Sequence, residues 1–100
     1  MIRVANTEDG RTAPIIICDH CGYAIDNAGM ALAYWKRNGE VLAADGRVYY
    51  VHKRCHAAFE GDDSLNWPNT ELTAFLRRLV ANVRANISED TGTDLLDRAP

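Results

Sequence analysis

Apolar positions recur with two different periods along the chain. Up to about residue 51 they come in short runs rich in β-branched and aromatic residues, broken by Gly, Asn and Asp. Pro14 precedes Ile15-Ile16-Ile17, which predicts a strand that delivers the chain to Cys18. Ile2 and Val4, in an otherwise polar lead-in over 1–13, add at most a short edge strand. Asp26, Asn27 and Gly29 mark a loop. MALAYWK at 30–36, GEVLA at 39–43 and RVYYV at 47–51 then read as three strands. Asn38-Gly39 and Asp45-Gly46 separate them as turn signals, which predicts an antiparallel meander over 30–51.

After residue 51 the period changes. HKRCHAAFE at 52–60 loses the β-branched residues and predicts a short helix that stops at Gly61. Residues 61–68 read as a polar connection. Leu72, Phe75, Leu76, Leu79, Val80, Val83 and Ile87 then fall on one helical face, with Arg77, Arg78 and Arg84 elsewhere on the wheel. This predicts a long amphipathic helix over 70–87, capped by Asn69 or Thr70. SEDTGTDLLDRAP at 88–100 is acidic and aperiodic, and is expected to be a mobile tail.

Length and composition fit one small α+β domain: 100 residues, 47% hydrophobic and 25% charged. A chain of this size gains much from a staple such as a metal or a disulfide. Three cysteines suit a disulfide framework poorly. The start MIRVANTEDGRTAP lacks the apolar core of a signal peptide, and no apolar run is long enough to span a bilayer. A cytoplasmic protein with reduced thiols and no membrane partner is expected. The net charge of −3 gives no global attraction to nucleic acid.

The chemistry concentrates in two pairs. Cys18 and Cys21 stand two residues apart, and His52 and Cys55 repeat that spacing. Three thiolates and an imidazole, arranged as two close pairs, suit tetrahedral zinc. Gly22 behind the first pair can take the positive φ of a tight knuckle. His52 and Cys55 can share the first turn of a helix, where a thiolate is electrostatically favoured. Knuckle, meander and helix-borne second pair together describe a treble clef over 14–61, followed by the connection and helix of 62–87. His20 and His56 are rival fourth ligands, but one lies inside the knuckle and the other points about 100° away from Cys55 on a helix. A redox dithiol at Cys18 and Cys21 is the competing use of the first pair, although no long helix follows it. Trp35 and Phe59 are expected in the core.

The set Cys18, Cys21, His52 and Cys55 resembles the zinc fingers of the poly(ADP-ribose) polymerase type, which have the same ligand order and a middle spacer of this length. Gly22, Ile25, the Tyr-rich strand before His52, and Phe59 extend the likeness, which covers roughly 18–60. LIM domains are similar more distantly. The resemblance implies a zinc-binding fold and, as a function, binding to DNA breaks. Where that family carries a phosphate-contacting arginine early in the first strand after the knuckle, this chain has Ala31. Between 18 and 60 basic and acidic residues are equal in number.

Two functions follow as expectations. The first is a non-catalytic zinc-binding interaction module, a small adaptor or regulator that meets a protein partner or a second copy through the 70–87 helix. The alternative is a DNA-binding zinc finger, using Lys36, Arg37, Arg47, Lys53 and Arg54. No motif of a zinc deaminase, metalloprotease, P-loop enzyme or serine hydrolase occurs in the chain, so no catalytic residues are expected.

Overall fold

The structure, a computed structural model, describes residues 1–84. It is a mixed α+β fold of antiparallel strands and two helices. Strand β1 (Ile2–Asn6) and strand β2 (Thr12–Ile16) form a hairpin in which Ile2 faces Ile16 and Asn6 faces Thr12. The lead-in is therefore a full strand of a two-stranded ribbon. Its turn is built locally: the Thr7 hydroxyl donates to the Asp9 carboxylate, and Gly10 takes a φ of +82°. Pro14 is tolerated in β2 because a two-stranded ribbon leaves edge positions without ladder bonds.

Ile17 leads into the Cys18–Gly22 knuckle, and the Ile25 N–H returns to the Ile16 carbonyl at 2.8 Å. Asn27 then closes a single 3-10 turn over Ala28–Met30 by accepting from the Gly29 N–H. Strand β3 (Ala31–Trp35) is the centre of the molecule. Strands β4 (Arg37–Asn38) and β5 (Val41–Leu42) make a separate small hairpin, and strand β6 (Val48–His52) pairs directly with β3, Ala31 opposite His52 and Trp35 opposite Val48.

The expected meander is thus corrected. The three-stranded sheet has the order β6-β3-β7, where strand β7 is Asn69–Glu71. β3 is buried and needs hydrogen-bond partners on both edges. Val41-Leu42, the only β-forming pair between the two turns, is exposed and too short to line β3. The chain after Pro68 takes that edge instead, with Tyr34 opposite Asn69 and Leu32 opposite Glu71.

Alternation along the strands divides the core into two faces. On one face Tyr34 and Val51 are fully buried with Cys18 and Cys55, and Leu32, Tyr49, Phe59 and Trp67 pack around them. Phe59 comes from helix α1 (His56–Glu60), which follows a 3-10 turn over Lys53–Cys55 and stops at Gly61, φ +58°, as the sequence indicates. Its ring lies 5.0 Å from Tyr34 and 4.9 Å from Trp67, centre to centre. Trp67 belongs to the stretch expected to be a polar connection, so that reading was too simple. The Tyr34 hydroxyl donates to Glu60, and burial together with that carboxylate pushes its pKa up.

The other face carries Ala31, Ala33 and Tyr50, covered by helix α2 (Leu72–Asn82). Two alanines on β3 let the helix approach closely, and Leu72 fills the contact. The long 70–87 helix is corrected at both ends. Asn69 and Thr70 are spent on β7, so they cannot cap, and Glu71 at the helix start makes no side-chain cap. Arg84 adopts φ +54° beyond the last turn, which does not continue a helix. Ile87 and the acidic 88–100 segment lie outside the described residues. Trp35 is half-buried and lines a groove beside α2. Among the described residues no helix is long and apolar enough to cross a membrane.

The apolar stripe of α2 is most buried at its start and exposed toward its end: Leu72 is 0% exposed, Leu79 42% and Val83 62%. Leu72→Ala should therefore cost about 3 kcal/mol in urea unfolding, and Leu79→Ala under about 1 kcal/mol. Equal losses would mean that the helix is buried to its last turn.

Candidate metal centre

Cys18 and Cys21 are placed by the knuckle. The Gly22 N–H donates to the Cys18 carbonyl at 3.0 Å and the Cys18 N–H to the Tyr23 carbonyl at 2.9 Å. Gly22 holds φ +79°, which a side chain would disfavour. The knuckle is fixed to the sheet by Asp19. Its N–H donates to the Tyr50 carbonyl at 2.7 Å, and its carboxylate accepts from the Tyr50 N–H at 2.8 Å. Arg47 stands 3.8 Å from the same carboxylate. His52 ends β6 and Cys55 closes the following 3-10 turn, so the second pair is carried on the strand that Asp19 grips.

These two pairs meet. One donor atom from each of Cys18, Cys21, His52 and Cys55 lies within 4.8 Å of every other. A metal with thiolate bonds of about 2.3 Å holds its sulfurs about 3.8 Å apart at the corners of a tetrahedron, so the four donors need close by no more than about 1 Å. Cys18, His52 and Cys55 are buried, and Cys21 is half-exposed. All three cysteines are free thiols.

His52 is oriented for ligation. Its Nε2 is 3.2 Å from the Ala24 carbonyl oxygen, and its Nδ1 is 3.3 Å from the Cys21 sulfur. A carbonyl can only accept, so Nε2 donates to Ala24, and in the neutral ring this leaves the Nδ1 lone pair facing the cluster. His20 is exposed, and His56 is exposed with its Nδ1 3.6 Å from Glu60. The residues at 18, 21, 52 and 55 are brought together, and the two rival histidines are not among them.

Burial pushes the Cys18 thiol up, but the backbone N–H groups of Cys21, His52 and His20 outweigh it and bring it down to about 6. The His52 N–H is 3.4 Å from that sulfur. Cys55 goes the other way: burial, the Cys21 side chain and the negative charge at Cys18 push it up to about 11. Arg54 places a guanidinium nitrogen 3.9 Å from the Cys21 sulfur. Three thiolates around a divalent ion would leave one net negative charge, which the Arg54 guanidinium is placed to offset. The donor set, three sulfurs and one imidazole with no carboxylate, fits a soft or borderline metal ion.

Sequence reasoning missed Asp19, the Ala24 carbonyl and Arg54. Asp19 and Arg54 sit between or beside ligands in the chain, but their partners are set by the fold. A backbone carbonyl has no signature in sequence at all.

Comparison with protein-family models, with curated proteins and with solved structures finds no match.

Burial and its neighbours push the Cys55 thiol up in the fold, and a cysteine of an unfolded chain is also mostly protonated below its ordinary value of about 8.5, so metal binding must expel at least one thiol proton from either state. Affinity should rise with pH, at least about tenfold per pH unit between about pH 6 and pH 8, and fall as acid returns the protons. A competition titration against a chelator of known affinity reads this slope. A slope of zero would mean that no thiol proton is displaced.

Proposed function

We propose that this chain is a non-catalytic zinc-binding interaction module, a small adaptor or regulator built on a treble-clef zinc finger. The observation that carries the proposal is the convergence of four protein donors within 4.8 Å of one another, with the His52 Nε2 against the Ala24 carbonyl and its Nδ1 toward the cluster. Four protein ligands complete a tetrahedral shell, whereas catalytic zinc keeps a position open for water or substrate. Zinc here would act on folding: it ties the Cys18–Gly22 knuckle to the β6–α1 junction and closes one face of the core. His52, Cys18, Cys21 and Cys55 would hold it.

The interaction role is supported by α2. Its apolar stripe outruns the sheet that covers it, leaving Leu79 and Val83 exposed on the same side as buried Leu72. The resemblance to the poly(ADP-ribose) polymerase-type fingers extends, in this reading, to the zinc ligands and not to DNA. Lys36 is paired with Asp63 at 2.6 Å, Lys53 with Glu71 at 3.1 Å, and Arg47 stands beside Asp19. Cations already matched by carboxylates make a poor phosphate-binding face.

Native mass spectrometry should find one zinc per chain, and chelation should abolish the folded circular-dichroism spectrum. His52→Ala should lose the ion, while His20→Ala and His56→Ala should keep it. A fold that survives complete metal removal would refute the structural role, and a zinc-loaded His52→Ala protein would remove His52 from the site.

A further inference from the structure

Helix α2 leaves two apolar grooves, one on each flank. The first, of about 450 Å³, runs between the helix and the β4–β5 hairpin; Trp35, Leu42, Val48, Phe75 and Leu79 line it, with Arg78 on its edge. The second, of about 400 Å³, is lined by Ala28, Thr73, Leu76 and Val80, with Arg77 on its edge. Between Leu72 and Arg84 the chain has three arginines and no acidic residue. The uncovered part of the stripe is a seam of exposed Leu79 and Val83 beside half-buried Val80, with Arg77 and Arg78 on its two flanks. Arg77 and Arg78 are exposed and, among the described residues, neither forms an ion pair.

We infer that this face receives an acidic amphipathic helix of a partner protein, with its leucine-type side chains in the grooves and its carboxylates against Arg77 and Arg78. The inference rests on the interaction-module reading and adds the partner's chemistry. Charge decides against the simplest alternative, a second copy. If two copies packed along this seam, arginine would flank arginine whether the helices ran parallel or antiparallel, and like charges beside a helix seam disfavour pairing. A partner with glutamates flanking its apolar stripe turns both repulsions into attractions. Two grooves separated by the ridge of α2 can receive side chains at i, i+3 and i+4 of a partner helix better than a flat surface can.

The test uses two synthetic helical peptides of equal length with the same leucine seam, one flanked by glutamates and one by lysines. Fluorescence anisotropy with the zinc-loaded full chain should show the glutamate peptide binding at least about tenfold tighter, as expected for two opposite-charge contacts exchanged for two like-charge ones. High salt should shrink that preference. In the R77E/R78E variant the preference should reverse, and Leu79→Asp should abolish binding of both peptides, with zinc content and melting temperature checked for each variant. Equal binding of the two peptides, or none to a folded and zinc-loaded chain, would overturn the inference while leaving the zinc site standing. A wild-type dimer that Leu79→Asp dissociates would assign the face to a second copy and overturn it too. So would tighter association with vesicles containing phosphatidylserine than with the glutamate peptide. The chain's own Leu95-Leu96, flanked by Asp94 and Asp97, offers similar chemistry; tenfold stronger peptide binding by the L95D/L96D full chain would make that segment the occupant instead.

Discussion

Two chain segments 31 residues apart in sequence come together where the Cys21 sulfur faces the His52 ring, and most of the fold is arranged around that meeting point. The knuckle carries one half and the β6–α1 junction the other. The apolar surface available to hold the halves together is small: among the described residues the large side chains that are fully buried are Tyr34, Leu72, Val51 and Cys18. Three thiols drawn this close without an ion repel one another as they ionise, and the charge at Cys18 adds to burial in pushing the Cys55 thiol up. A shared cation removes that conflict and turns it into cross-linking.

The sheet transmits this constraint to the rest of the molecule. Period-two alternation on β3 sends Tyr34 to the thiol side and Ala33 to the helix side, so one strand joins both halves of the core. Asp19 locks the knuckle to β6 through Tyr50, whose ring in turn meets Phe75 of α2 edge-on at 6.3 Å. The path from metal site to helix is therefore short: knuckle, Asp19, Tyr50, Phe75.

Much of the site was legible in the sequence because ligation depends on residue type and spacing. The paired spacings single out Cys18, Cys21, His52 and Cys55, and these are the side chains that converge. The stop of α1 at Gly61 and the knuckle turn at Gly22 were readable for a similar reason, since both need a positive φ. The sheet order was not readable. Val41-Leu42 has strand-forming residues and a good turn before it, yet β3 pairs with Asn69–Glu71, three polar residues with no strand signature. That choice is made by which segment can reach an open edge. The length of α2 was overestimated because periodicity reports which face is apolar, not where its cover ends or where the backbone turns at Arg84. Trp67 was overlooked because a lone aromatic in a polar stretch has no period to reveal it.

Zinc K-edge X-ray absorption on the natively purified chain tests the central claim most directly. Three sulfur neighbours at about 2.3 Å and one nitrogen at about 2.0–2.1 Å are expected, with one sulfur lost in Cys55→Ser. A shell dominated by oxygen or by more than four neighbours would contradict a closed structural site made by Cys18, Cys21, His52 and Cys55.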